Sequence, residues 1–179
     1  MLDAMMRVMT GSRTADRFHL RAWVVAFCLC LTACGPARDG TVKADAATGY
    51  CPVCKMKVNA ADEWAAEIYY TDGTKLLFES PGDLMMFFTA PGKYKATPAQ
   101  QERANITKIL LKDYQTKQPT DARQAALVIN SRVEGPMGPD FIPFNSRADA
   151  DAFVIAKGGK IISLSDVTPE MAQNLRSGY

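Results

Sequence analysis

The chain has 179 residues, of which 47% are hydrophobic and 22% charged, as expected for one globular domain or two small ones. Its formal net charge of +2 comes from the first 33 residues, so the remainder is neutral and gives no indication of nucleic-acid binding. The single histidine, His19, also lies in that first segment. A mature chain without it therefore lacks a Ser-His triad or a histidine general base.

Residues 1–33 have the features of a bacterial lipoprotein signal peptide. Four arginines precede an apolar run at 22–33 that is too short to span a bilayer as a permanent helix. Leu31-Thr32-Ala33-Cys34 resembles a lipobox, so we expect cleavage before Cys34 and lipid on that cysteine. A plain secretory signal or a short anchor is the alternative. Residues 34–49 are small and polar, and predict a flexible tether.

Two thiols and a thioether fall within six residues, in the run Cys51-Pro52-Val53-Cys54-Lys55-Met56. Soft sulfur ligands favour Cu(I), whereas structural zinc sites use cysteine and histidine. A bare C-x-x-C pair also suits a disulfide, a redox pair or half of a zinc site. Cys51 can accordingly be a second ligand, a disulfide partner of Cys54 or a packing residue.

The pattern after this motif predicts a β-hairpin and then a helix. The hairpin covers 68–78 around an Asp-Gly turn, and Ser80 caps the following helix, with Asp83 as a capping-box acid. Pro91 and Gly92 end the helix. Residues 96–103 are predicted to hold a helical turn.

The second half of the chain predicts further strands and two helices. Strands are expected at 106–111, 126–129, 141–144 and 160–164, and residues 119–124 as a loop or helical turn. Helices are expected from Ser146 to about Lys157 and from Thr168. The Pro- and Gly-rich run 135–140 predicts a tight, irregular loop around Met137, with Asp140 as a candidate hydrogen-bond acceptor near the metal.

The two helix entries match at an offset of 66 residues. Five pairs are identical: Phe78 and Phe144, Ser80 and Ser146, Asp83 and Asp149, Phe87 and Phe153, Gly92 and Gly158. Capping explains the serine and the aspartate but not the phenylalanines or the glycine. We therefore predict an α+β fold of two similar modules, 50–97 with the sulfur motif and 98–179 with a linker. Chance similarity of two strand-to-helix turns is the alternative.

The joint order of these motifs resembles the NosL family, the accessory lipoproteins of nitrous oxide reductase. The matching features are the lipobox Cys34, Cys51-x-x-Cys54-x-Met56, Asp121-Ala122, Gly135-Pro136-Met137-Gly138, Pro143-Phe144, the helix segment 149–153 and Gly158-Gly159. The resemblance implies two ββαβ-type modules and a Cu(I) chaperone without enzymatic activity. It implies a lipid anchor, on the periplasmic side of the outer or inner membrane. It implies two partners. One is a copper-dependent reductase, namely nitrous oxide reductase, and the other is the membrane transporter that matures this enzyme.

The resemblance also implies a ligand set. The Cys-x-Met pair of the family falls on Cys54 and Met56, and the later Pro-Met-Gly element places a third ligand at Met137. One thiolate with two neutral thioethers favours release of the ion by ligand exchange. The family usually has glycine where this chain has Lys55, which puts a positive charge beside the ligands.

Three other functions are compatible with the same two cysteines. A thiol–disulfide oxidoreductase would use Cys51 and Cys54, although such pairs normally open a helix. A structural zinc site needs four ligands, so two chains would have to share one ion. An interaction lipoprotein would make the sulfur incidental.

Overall fold

The computed structural model describes residues 48–177, which lie within one compact unit. The predicted signal peptide, the lipidated Cys34 and nearly all of the predicted tether lie outside the described residues. No helix within 48–177 combines the length and the apolar character that crossing a bilayer requires.

Short strands and helices alternate along the chain. The strands are β1 Thr48–Tyr50, β2 Lys57–Asn59, β3 Ala66–Tyr70, β4 Lys75–Phe78, β5 Ile106–Lys112, β6 Pro119–Asp121, β7 Ala126–Ile129, β8 Glu134–Gly135, β9 Gly138–Pro139, β10 Ile142–Phe144 and β11 Lys160–Ile162. The helices are α1 Pro81–Thr89, α2 Pro98–Gln101, α3 Arg147–Lys157 and α4 Pro169–Arg176. Single 3-10 turns lie at Pro91–Tyr94, Arg103–Asn105 and Leu164–Asp166.

Two antiparallel sheets share one ββαβ topology. In the first, β3 lies between β4 and β5, and α1 connects β4 to the segment that leads to β5. In the second, β7 lies between β10 and β11, and α3 connects β10 to β11. The first strand of each unit is thus central, and both neighbours run antiparallel to it. The predicted α+β fold with two similar modules is confirmed.

The sequence repeat has a structural counterpart at each helix entry. Ser80 accepts a hydrogen bond from the Asp83 amide at 3.3 Å, and Ser146 accepts one from the Asp149 amide at 3.4 Å. The repeated phenylalanines pack strand against helix in both modules. The ring centroids of Phe78 and Phe87 are 5.3 Å apart, and those of Phe144 and Phe153 are 5.0 Å apart. The matched phenylalanines are therefore core contacts that both modules need.

Two segments differ from the expectation. Residues 119–121 form β6, a fourth strand of the first sheet, because their backbone pairs with β5 and buries Thr120. Residues 134–139 form the small β8–β9 hairpin instead of an irregular loop, with Met137 in its turn. The first sheet takes β5 and β6 from beyond residue 97, the predicted end of the first module.

The last helix packs against the helix of the first module. Helix α4 packs against α1 and contacts β9, and it buries Ala172 and Leu175 in the core. Its last residue, Arg176, reaches the first turn of α1. The N-terminus of α1, the β8–β9 hairpin and the end of α4 therefore meet in one place.

Candidate metal centre

The sulfur motif forms the loop that joins β1 to β2. The Cys51 amide donates to the Met56 carbonyl at 2.9 Å, and the Lys55 amide donates to the Cys51 carbonyl at 3.0 Å. Lys55 has a φ of 65°, a left-handed conformation that glycine adopts without strain. Its ammonium group donates to the Pro52 carbonyl within the same loop. These bonds close the loop and turn both cysteines toward α1.

Both cysteines are free thiols, and each donates to a carboxylate. Cys51 is fully buried and its Sγ lies 3.3 Å from Asp83 Oδ2. Cys54 is half-buried and its Sγ lies 3.3 Å from Glu79 Oε2. The two sulfurs and one Asp83 oxygen lie within 4.8 Å of one another, which makes these residues a candidate metal-binding group.

Asp83 is a site residue that the sequence analysis missed, because capping already explained an aspartate at this position. Its amide does donate to Ser80, as predicted, but its side chain turns to the thiols and to Arg176. Asp83 Oδ1 receives the Arg176 guanidinium, and both side chains are almost completely buried. Arg176 lies 93 residues further along the chain, so no local pattern indicates the pair.

Asp140 is a second buried carboxylate beside the N-terminus of α1. Its carboxylate accepts from the amides of Gly82 at 2.5 Å and Phe141 at 2.7 Å, and one oxygen lies 3.7 Å from Arg176. A Cβ at position 82 would lie only 2.9 Å from Asp140 Oδ1, so glycine permits the approach. Complete burial raises the pKa of Asp140 to about 6, against the lowering effect of Ser80, Arg176 and the two amides.

The two predicted methionine ligands are exposed. Met56 follows the cysteine loop and is 46% exposed, while Met137 in the β8–β9 turn is 42% exposed. The hairpin packs on Asp140 through Gly135, whose Cβ would lie 2.8 Å from Asp140 Oδ2. Because Asp140 contacts Gly82, the hairpin starts beside α1. The ligand roles of Cys54, Met56, Met137 and Cys51 remain predictions.

The surroundings keep the free thiols protonated. Burial raises the pKa of Cys51, and burial together with the Asp83 carboxylate raises the pKa of Cys54 well above its ordinary value. Cysteines that attack disulfides have the opposite property, a lowered pKa at a helix N-terminus or beside a cation. Metal binding must therefore displace the thiol protons.

A two-module α+β domain with two free thiols and a carboxylate facing one another defines a candidate soft-metal-binding protein. A family model described as NosL matches residues 42–172. The chain therefore belongs to the NosL family.

Two individual proteins are similar to this chain, one in sequence and one in fold. Over 51 residues the chain is 45% identical to the copper-binding lipoprotein NosL of Achromobacter cycloclastes, a match that spans 28% of this chain and only 26% of that relative. The crystal structure of the copper chaperone NosL from Shewanella denitrificans has the same fold. It shares 23% identity with a TM-score of 0.54, and the match covers 67% of this chain and 90% of the other.

A solution structure of apo-NosL from Achromobacter cycloclastes is also similar. It shares 28% identity with a TM-score of 0.44, over 60% of this chain and 87% of that one.

Proposed function

We propose that this protein is a Cu(I) chaperone, anchored by lipid on Cys34 at the periplasmic side of a bacterial membrane. It binds one Cu(I) through the Cys54 thiolate and the thioethers of Met56 and Met137. It passes the ion to nitrous oxide reductase during maturation, together with the membrane transporter that serves that enzyme. The protein catalyses no covalent step.

The pairing of Cys54 and Met56 in one closed loop carries this proposal. A half-buried free thiol stands two residues from an exposed thioether, and both are soft donors of the kind that Cu(I) prefers. Family membership supports it, because two relatives are named as a copper-binding lipoprotein and a copper chaperone. The exposure of Met56 and Met137 lets a sulfur ligand from a partner reach the ion.

The proposed transfer follows from the charges of the ligands. One thiolate neutralises Cu(I), and the two neutral thioethers add weaker bonds that a partner's sulfur can replace one at a time. The Cys54 thiol loses its proton when the ion binds and regains it when the ion leaves. Ligand exchange needs no redox change of the protein.

The thiol environment favours this function over a thiol–disulfide oxidoreductase. The raised pKa values leave little thiolate at neutral pH, and the motif forms a hydrogen-bonded loop between β1 and β2 instead of opening a helix. A Cys51→Ser variant in an insulin-reduction assay distinguishes the two functions. Strong turnover by the unmodified protein that this variant lacks would overturn the chaperone proposal.

Titration with Cu(I) against a chromogenic chelator tests the ligand set. For the reduced full-length protein we expect one ion per chain. Cys54→Ser should weaken binding at least about 100-fold, and Met56→Leu or Met137→Leu about 10-fold, since groups that only support a metal site already contribute about 10–100-fold. Met171→Leu, a partly buried methionine on α4, is the matched control and should bind like the parent.

Two results would contradict the ligand assignment. One is full Cu(I) affinity in Cys54→Ser, and the other is an equal loss in Met171→Leu and Met137→Leu.

Delivery is tested separately by mixing the loaded protein with metal-free nitrous oxide reductase and following the recovery of its copper absorption. Cys34→Ala should move the protein from the membrane to the soluble periplasmic fraction, and persistent membrane association would refute the lipid anchor.

A further inference from the structure

We infer that a basic docking face surrounds the sulfur loop, and that it fits a copper-receiving protein with an acidic surface around its own ligands. The face combines exposed apolar side chains with exposed ammonium groups, namely Tyr50, Met56, Met137, Lys57, Lys93 and Lys95. The inference rests on the proposed function, because ligand exchange requires the receiving protein to contact the loop. It adds the chemistry by which that protein is recognised.

The exposed apolar side chains are concentrated near the sulfur loop, residues 51–56. In the part of the chain that the structure describes, four large hydrophobic side chains are exposed, and three of them belong to this face. Tyr50, which is 72% exposed, directly precedes the loop, Met56 ends it, and Met137 lies in the β8–β9 turn. The fourth is Ile155 on α3 of the second module. Tyrosine and methionine are enriched at the centres of protein–protein interfaces, so these three side chains suit a docking surface.

Lys57 lies beside the exposed end of the loop and has no acidic partner. It is exposed, directly follows Met56, and pairs with Tyr50 across the two strands β1 and β2. Lys55, on the other side of Met56, is also exposed, and its ammonium group donates to the Pro52 carbonyl. Neither lysine forms an ion pair with any described residue. A protein that reaches Met56 therefore contacts two positive charges beside it.

A second pair of exposed lysines follows helix α1. Lys93 and Lys95 lie on either side of Tyr94, and neither is ion-paired within the described chain. Tyr94 packs on the core that contains Cys51. Burial, and then the nearby charges of Asp83 and Cys51, raise the pKa of Tyr94. The segment that carries these two lysines therefore borders the metal centre.

The carboxylates of the metal centre face inward and leave the positive charge on the outside. Glu79 and Asp83 accept hydrogen bonds from the two thiols, and Asp83 is also paired with buried Arg176. The β8–β9 hairpin contributes one exposed carboxylate, that of Glu134. The exposed lysines outnumber it, so an acidic surface is the complementary one. Complementary charges accelerate the encounter of two proteins and disfavour partners of like charge.

Cu(I) transfer at two salt concentrations tests the inference. The loaded, reduced full-length protein is mixed with metal-free nitrous oxide reductase, or with its maturation transporter, at about 0.01 M and about 0.15 M salt. We expect the second-order rate to fall about 10-fold at the higher salt for the protein that receives the ion. The reason is that the screening length shrinks from about 30 Å to about 8 Å.

Charge reversal on the face should have the same effect as salt. Lys57→Glu should slow transfer about 10-fold at low salt and remove most of the salt dependence, with Cu(I) affinity close to that of the parent in the chelator titration. Lys157→Glu reverses an exposed lysine on α3 and is the matched control, which should transfer like the parent. Tyr50→Ser should weaken association about 10-fold, whereas Ile155→Ser should leave it unchanged.

Association of the metal-free proteins separates this inference from the chaperone function. The immobilised metal-free protein should bind the receiving protein in biolayer interferometry, less tightly at higher salt and in Lys57→Glu. Such binding without any Cu(I) transfer would support the docking face and refute the chaperone function. Transfer that is equally fast at both salt concentrations and in Lys57→Glu would overturn the docking face and leave the chaperone function intact. Absence of both binding and transfer would overturn both.

Discussion

Lys55 shows how a single residue sets the shape of the sulfur loop. Its left-handed backbone turns the chain between Cys54 and Met56, and an L-residue in this conformation costs roughly 1–2 kcal/mol. The hydrogen bond from its ammonium group to the Pro52 carbonyl offsets part of that cost. Glycine, which the family resemblance implies at this position, adopts this backbone conformation without strain.

Replacing Lys55 by glycine should stabilise the protein. Relief of the left-handed strain exceeds the entropy that glycine adds to the unfolded chain, and we expect a net gain of about 0.5–1 kcal/mol. Urea unfolding measures the difference. Lys57→Gly, in the extended backbone of β2, is the control and should be destabilising. A less stable Lys55→Gly protein would show that the ammonium contact outweighs the strain.

Asp83 shows the limit of local reasoning about a residue. The motif Ser80-x-x-Asp83 is sufficient to explain an N-terminal cap, and the cap is indeed formed. The Asp83 side chain, however, accepts hydrogen bonds from Cys51 and Arg176, which lie 32 and 93 residues away. One residue satisfies both a local and a distant requirement, and only the first is visible in the sequence.

At the scale of elements, the N-terminus of α1 is where the site is assembled. Ser80 caps the helix, and Asp83 faces the cysteine loop. Gly82 has no side chain, so Asp140 can approach closely and accept a hydrogen bond from the Gly82 amide. Helix α4 and the β8–β9 hairpin reach the same turn through Arg176 and Asp140. Displacing this one helical turn should therefore disturb every proposed ligand.

Gly82→Ala tests that dependence. The new methyl group would lie 2.9 Å from Asp140 Oδ1 and force the carboxylate away from the Gly82 amide. We expect a loss of about 1–3 kcal/mol, the cost of overpacking a buried contact, together with weaker Cu(I) binding. Gly92→Ala is the matched control, since its Cβ would meet nothing closer than 3.5 Å. Thermal unfolding that is unchanged in Gly82→Ala would contradict the tight approach.

At the scale of the whole molecule, two ββαβ modules are held together at Asp113. Its carboxylate accepts from the amides of Gln115 and Thr116 within the turn after β5, and from the Asn145 amide of the second module at 2.7 Å. The Tyr114 amide donates a hydrogen bond to the Pro143 carbonyl at 2.8 Å, and the Tyr114 ring packs between Trp64 and Phe153. The Trp64 ring, which precedes β3, therefore packs against buried side chains of the second module.

Asp113→Asn should destabilise the protein by about 1–3 kcal/mol at neutral pH, because the amide cannot satisfy all these donors. Burial alone would raise the pKa of Asp113, but the hydrogen bonds from Asn145, Thr116 and Gln115 lower it below its ordinary value. A carboxyl with a lowered folded-state pKa stabilises the fold above the unfolded pKa of about 3.9 and loses this effect at lower pH.

The difference between the parent and Asp113→Asn should therefore be full near pH 7 and shrink as the pH falls below about 4. Chemical unfolding at several pH values measures it. Asp72→Asn, in the exposed turn between β3 and β4, should show a much smaller difference, because its carboxylate is solvated and accepts mainly from Thr74. A constant difference down to pH 2 would show that the charge of Asp113 does not contribute.

The sequence by itself determined the modules and the sulfur loop, because both depend on short-range chemistry. Strand pattern, helix caps and the repeat at an offset of 66 residues indicate two strand–strand–helix units, and Cys51 and Cys54 are close in sequence. The ββαβ topology was implied by the family resemblance, and the structure shows that β5 completes the first unit. The tertiary structure decided the fourth strand β6, the hairpin around Met137, and the meeting of Asp83, Asp140 and Arg176. Strand pairing and buried ion pairs join residues far apart in the chain, and their partners are selected by packing that no local pattern records.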